Sequence, residues 1–242
     1  MDKRSSFQNG LINSRDKALK SIKLFFQDKA VEAHVFGSMA RGNTDALSDI
    51  DIWFTFKDAN IGKALEQRLE YYAQIGEIVH VCEPPQNSPT NGVHSCVLYK
   101  TEGGLLQVDF YICPLSTSFR TEESKQIFGD IKLPLGELGF NSQKISVSDF
   151  YRIDFFVLFV FIAIKRLARK KQGALDLLFA EYDNLKNRYD IDVRPLENRE
   201  NTFMCMRQVI AKISNFSSEK QKSVLKEISA FAGQVEKNIP LK

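Results

Sequence analysis

No stretch limits what this chain can become more than residues 31–56. An apolar run over 31–36 stops abruptly at Gly37-Ser38, and a polar connection carrying Arg41-Gly42 follows. A second apolar run over 50–56 is entered through Asp49 and Asp51. Side chains of a strand alternate between its two faces. Asp49, Asp51 and Trp53 therefore share one face, and Ile50, Ile52 and Phe54 the other. Two carboxylates one residue apart on a face can hold the same hard cation. Magnesium takes such oxygen ligands and keeps positions open for phosphate oxygens. The turn upstream supplies the complementary grip. Gly37 lets the backbone come close to a phosphate, while Ser38 adds a hydroxyl and N–H groups that can form an anion-binding nest.

Around this stretch the periodicity assigns the rest of the chain. Residues 5–28 repeat apolar side chains at helical spacing (Leu11, Ile12, Leu19, Ile22, Phe26). The first strand follows over 31–36. A short helix after Gly37 would point N–H groups at an anion. Residues 60–72 form a second helix and 77–81 a third strand. The Pro-rich segment 83–92 cannot be crossed by a regular element; it is either part of an acceptor pocket or a surface excursion. Residues 93–100 and 105–112 form a hairpin around Thr101-Glu102-Gly103-Gly104. In its second strand Gln107, Asp109 and Tyr111 face one way, and Val108, Phe110 and Ile112 the other. An unpaired buried carboxylate is costly, so Asp109 either faces solvent or joins a cation. From 115 to 147 the pattern weakens. After Ser148 it is helical throughout, with helices over 151–169, 174–189, 201–215 and 218–238 joined by short polar breaks, as in an antiparallel bundle. The expected domains are 1–145 and 146–242. No internal repeat interrupts either.

Composition narrows the classes. The 242 residues carry a net charge of +3, unevenly placed. Residues 1–150 hold 16 Lys/Arg against 19 Asp/Glu, and residues 151–242 hold 17 against 11. A basic second half opposite an acidic metal site would suit a triphosphate, although solvated helix faces explain the charges equally well. The first 15 residues are polar and charged, unlike a secretory leader. The longest apolar run, 155–164, is too short to span a membrane. A cytoplasmic protein without a membrane partner is expected. Cys82, Cys96, Cys113 and Cys205 form no Cys-x-x-Cys pair and have no histidine at ligand spacing, so no zinc site is expected. His34, His80 and His94 have no carboxylate or serine partner at a recognisable spacing, and read as core or surface residues.

Gly37-Ser38, Ala40-Arg41-Gly42 and Ser48-Asp49-Ile50-Asp51, in that order and spacing, resemble the signature of the DNA polymerase β-type nucleotidyltransferase superfamily. One such domain before a helical bundle, with the Asp109-Phe-Tyr-Ile-Cys-Pro strand, looks most like the aminoglycoside and lincosamide antibiotic nucleotidyltransferases. The resemblance implies an α+β fold: an N-terminal mixed β-sheet flanked by helices, then a C-terminal helical bundle. It implies Asp49, Asp51 and Asp109 as catalytic carboxylates and ligands of two Mg²⁺ ions. Gly37 and Ser38 would hold the nucleotide, joined by Arg41 and Lys165, which are otherwise a surface turn residue and the end of a core helix. ATP or another nucleoside triphosphate is the implied co-substrate, and a small hydroxylated acceptor would receive AMP. A homodimer is compatible with it. A charge of +6 over the second half is weak for nucleic acid. Two other readings remain: a nucleotidyltransferase acting on RNA or a protein side chain, and a non-catalytic nucleotide-binding antitoxin-type module.

Overall fold

The computed structural model describes residues 3–139, 152–189, 196 and 199–239. Its contacts divide the chain into two compact units, Asn9–Val147 and Met1–Gln8 with Ser148–Lys242. The first unit is built on a six-stranded mixed sheet in the order β3-β4-β5-β2-β1-β6. Its strands are β1 (Glu32–Val35), β2 (Ile50–Phe56), β3 (Glu77–Cys82), β4 (Val93–Thr101), β5 (Gly104–Pro114) and β6 (Lys125–Gly129). Every pairing is antiparallel except that of β2 with β5.

The strand alternation decides what each face of the sheet does. One face is apolar: Ile50, Ile52 and Phe54 of β2 lie with Val108, Phe110 and Ile112 of β5 and Val97 of β4. Helix α1 (Lys3–Phe26) covers it through Ile22 and Phe26, with Ala64 of α3 (Ile61–Glu66) and Tyr72 of α4 (Arg68–Ala73). The Phe26 ring stacks on Phe54 at 4.1 Å and lies 6.3 Å from Phe110. Truncating such a fully buried Phe costs about 3–5 kcal/mol, so this cluster holds the sheet rigid behind the other face. That other face carries Asp51, Trp53, Asp109 and Tyr111, and it is where chemistry can occur.

Two expectations are corrected here. The single helix over 60–72 is broken at Gln67, whose backbone leaves helical geometry (ψ 3°); the Arg68 guanidinium bonds the Leu65 carbonyl beside the break. The segment after 115, where no element was legible, contains β6, which pairs with β1 at the sheet edge. Of its residues only Ile127 and Phe128 pack against the core, and no apolar alternation marks it. At its end Gly129 (φ 92°) lies so close to Val31 that a Cβ would meet the Val31 carbonyl oxygen at 2.5 Å.

The second unit is helical among the described residues. Helices α5 (Arg152–Ala168), α6 (Asp176–Tyr189), α7 (Phe203–Ser214) and α8 (Glu219–Asn238) pack with α5 against the other three. Phe156, Val157, Val160 and Ile164 of α5 are buried with Met206, Val209, Ile228 and Phe231. The starts of α7 and α8 are capped as their sequences dictate. Thr202 accepts from the Cys205 N–H, and Ser218 and Gln221 form a reciprocal capping box. No described helix is long and apolar enough to cross a membrane.

Candidate active site

The site lies across three adjacent strands. Register pairs Asp51 of β2 with Asp109 of β5, and Asp109 with Cys96 of β4. All three are on one face, and Asp49 stands one step before β2 begins. Asp109 is buried (6% exposed), and Asp49 and Asp51 are half-buried. The Tyr111 hydroxyl reports their convergence. Its pKa is pushed far above the ordinary tyrosine value, first by burial, then by the charges of Asp109, Cys96, Asp51 and Asp49. All three carboxylates thus act on one neighbourhood.

The Gly37-Ser38 turn closes over the same point. Gly37 adopts φ 65°, and a Cβ there would meet Asp51 Oδ2 at 2.5 Å. Glycine is required both by its backbone angle and by this approach. Ser38 opens the five-residue helix α2 (Gly37–Arg41), and its Oγ is buried without a hydrogen-bond partner. A buried hydroxyl left unpaired is costly unless something completes it. The connection to Asp49 is held by Asp45: its carboxylate accepts from the Leu47 N–H (2.9 Å) and the Ser48 hydroxyl (3.1 Å). Arg15 Nη1 donates to the Asp45 carbonyl at 2.7 Å.

Sequence reasoning places Gly37, Ser38, Asp51 and Asp109 together, and the structure brings them together. It treats Arg41 and Lys165 differently. Arg41 pairs with Glu123 at 2.7 Å on the surface, so contact with a phosphate requires that pair to open. Lys165 belongs to the helical unit, buried in α5, with Nζ 5.5 Å from the Phe161 ring centroid. The Pro-rich segment is not a free flap. Thr90 accepts from Thr117 at 2.8 Å, and Gly92 lies against the Ile112 carbonyl.

The reading of the histidines and cysteines needs correction. His94 Nε2 lies 3.3 Å from Asp109 Oδ1, and Cys96 Sγ lies 3.5 Å from His94 Nε2. Gln107 donates to Asp109 Oδ2 at 2.6 Å. His34 likewise meets Glu32, two residues away on β1. In a strand, residues two apart share a face, a spacing that helix- and loop-based ligand rules pass over. The signal was present: once the hairpin pairs Thr101 with Gly104, counting outward puts Cys96 opposite Asp109 and His94 opposite Tyr111.

A row of stacked rings runs beside the carboxylates. His94 stacks on Tyr111 (4.3 Å), Tyr111 on Trp53 (5.5 Å) and Trp53 on His34 (6.0 Å), across four strands. Trp53 is 1% exposed, and Phe119 packs on it at 4.8 Å. Gly136 rests on the Phe119 ring and is one wall of an open surface depression of about 550 Å³, lined also by Thr121, Glu122, Glu123, Leu135, Glu137 and Leu138.

Residues 20–87 match the family described as "Polymerase beta, Nucleotidyltransferase". The matched nucleotidyltransferase segment contains Gly37, Ser38, Arg41, Asp49 and Asp51 and ends before Asp109. No curated protein matches the chain. Among solved structures, a protein from Sulfolobus solfataricus described as a candidate nucleotidyltransferase is 20% identical (TM-score 0.29), over 55% of this chain and 94% of its own. The STING-associated CdnE c-di-GMP synthase from Capnocytophaga granulosa is 14% identical (TM-score 0.32), over 96% and 84%. The Elizabethkingia meningoseptica CdnE cyclic dinucleotide synthase, solved with GTP and Apcpp, is 15% identical (TM-score 0.30), over 94% and 96%. Likenesses at these scores say nothing of substrate.

Proposed function

We propose that this chain is a metal-dependent nucleotidyltransferase that moves AMP from ATP to a hydroxyl of a small acceptor. One observation carries the reading: the unpartnered Ser38 hydroxyl follows a glycine pressed onto the Asp51 carboxylate, which is itself in register with Asp109. Asp51 and Asp109 on one sheet face, with Asp49 just before β2, are the residues that would hold magnesium ions. When bound, the ions neutralise the triphosphate and lower the pKa of the acceptor hydroxyl.

The chain's own groups do the rest. Ser38 donates to a β- or γ-phosphate oxygen, and Gly37 leaves that phosphate room. Gln107 fixes one oxygen of Asp109 and so the direction of the other. Asp109 takes the proton of the acceptor hydroxyl as its oxygen bonds to the α-phosphorus, and the bond to the bridging oxygen breaks to release pyrophosphate.

On this reading the acceptor occupies the open depression lined by Glu122, Glu123 and Glu137. Glu83, Glu102 and Glu123 are already engaged by Arg68, Lys17 and Arg41, which leaves Glu122 and Glu137 beside two exposed leucines. An acceptor with one amine and an apolar face suits those walls, closer to a lincosamide than to a polycationic aminoglycoside. Incubation with each of the four nucleoside triphosphates against an antibiotic and metabolite panel, read by mass spectrometry, tests this. The expected product is an acceptor carrying one adenylate. Consumption of triphosphate with no small acceptor modified would refute it.

A further inference from the structure

The mechanism above leaves His94 and Cys96 without a role, yet both are buried against its third carboxylate. His94 is 3% and Cys96 4% exposed. The ligand atoms of His94, Cys96 and Asp109 all lie within 4.8 Å of one another, the only such group among the described residues. A charge-assisted N–H···O bond closes to about 2.7–2.9 Å, whereas His94 Nε2 stays 3.3 Å from Asp109 Oδ1.

Two of the three separations match a common centre. Zinc bonds sulfur at about 2.3 Å and imidazole nitrogen or carboxylate oxygen at about 2.0–2.1 Å. At the tetrahedral angle these bonds set S and N about 3.5 Å apart, and N and O about 3.3 Å apart. The observed separations are 3.5 Å for Cys96 Sγ to His94 Nε2 and 3.3 Å for His94 Nε2 to Asp109 Oδ1. Gln107, bonded to the other oxygen of Asp109, is the outer partner that orients a ligating carboxylate. A thiolate and an imidazole select a zinc-class ion over magnesium.

We propose that His94, Cys96 and Asp109 form a binding site for a zinc-class divalent ion, and that its occupation withdraws Asp109 from transfer. The second clause rests on the proposed role of Asp109; the first does not. The test uses cobalt(II), added to the purified full chain in one equivalent under reducing conditions. A thiolate-to-cobalt charge-transfer band should appear and be displaced by zinc. Cys96→Ser should lose the band while keeping its circular dichroism and its magnesium-supported turnover. Asp49→Asn, outside the trio, should keep the band. No band in the wild-type chain, or a band that survives Cys96→Ser, overturns the site. Stoichiometric zinc should also lower wild-type turnover by at least tenfold and leave Cys96→Ser unaffected. Equal inhibition of both overturns the coupling while the band still establishes the site.

Discussion

At the residue scale, the sheet face separates holding a nucleotide from transferring it. Asp49→Asn and Asp51→Asn each remove an anionic ligand at nearly constant shape. Each should lower kcat by roughly 10³-fold or more, in line with several kcal/mol of transition-state charge stabilisation. Near-normal turnover by either folded variant would end the metal-site reading. Ser38→Ala removes one phosphate contact among several, so its effect should appear mainly in the nucleotide KM. Asp109→Asn should do the reverse, lowering kcat far more than nucleotide affinity, because Ser38, Asp49 and Asp51 still hold the triphosphate. Steady-state kinetics beside equilibrium nucleotide binding distinguish the two patterns. The placement of Asp51 and Asp109 on one sheet face was legible from the sequence because a carboxylate in an apolar strand has few inexpensive fates. His94 was not, because nothing local marks a residue whose partner is fifteen positions away across a hairpin.

At the element scale, long-range pairing explains both what was legible and what was missed. Strands β2, β4 and β5 are largely apolar runs and emerge from sequence with nearly their observed limits. Strand β6 is not such a run, and only its pairing with β1 makes it a strand. The same holds for Glu83. It accepts from Arg68 at 2.7 and 2.8 Å and from Ser95 at 2.8 Å, and Tyr72 donates to Ser95 at 3.0 Å. These bonds tie α4 to β4 and give the Glu83 carboxylate a structural role. Glu83→Ala should therefore cost about 1–3 kcal/mol of stability, toward the lower end because Arg68 and Glu83 are about a quarter exposed. Turnover should persist. Urea unfolding decides it: the midpoint should fall with an unchanged slope, and a shift too small to measure would mean the tie is idle.

At the scale of the whole molecule, the sheet unit should be an alkaline sensor. Burial is the first cause raising the pKa of Tyr72, Tyr99 and Tyr111 above the ordinary 10.0. As neutral phenols, Tyr72 and Tyr99 donate to Ser95 and to the Tyr72 carbonyl. The unfolded chain ionises its tyrosines near pH 10 while the fold keeps these protonated. Their contribution is thus intact below pH 10 and is lost above it, by up to about 1.4 kcal/mol per pH unit for each. Phenolate absorbance from these three should rise together with the loss of circular dichroism. Ionisation near pH 10 with the dichroism intact would contradict it. Another property of the molecule follows from the stacked row. Trp53 is the one tryptophan in the chain, and it is held in that row between Tyr111 and His34. The protein's ultraviolet emission therefore comes from a single lamp fixed beside the carboxylates. A nucleotide titrated without acceptor should change its intensity saturably, giving an affinity that involves no chemistry at all, and Asp51→Asn should blunt the response. An emission indifferent to nucleotide would place binding away from this face of the sheet.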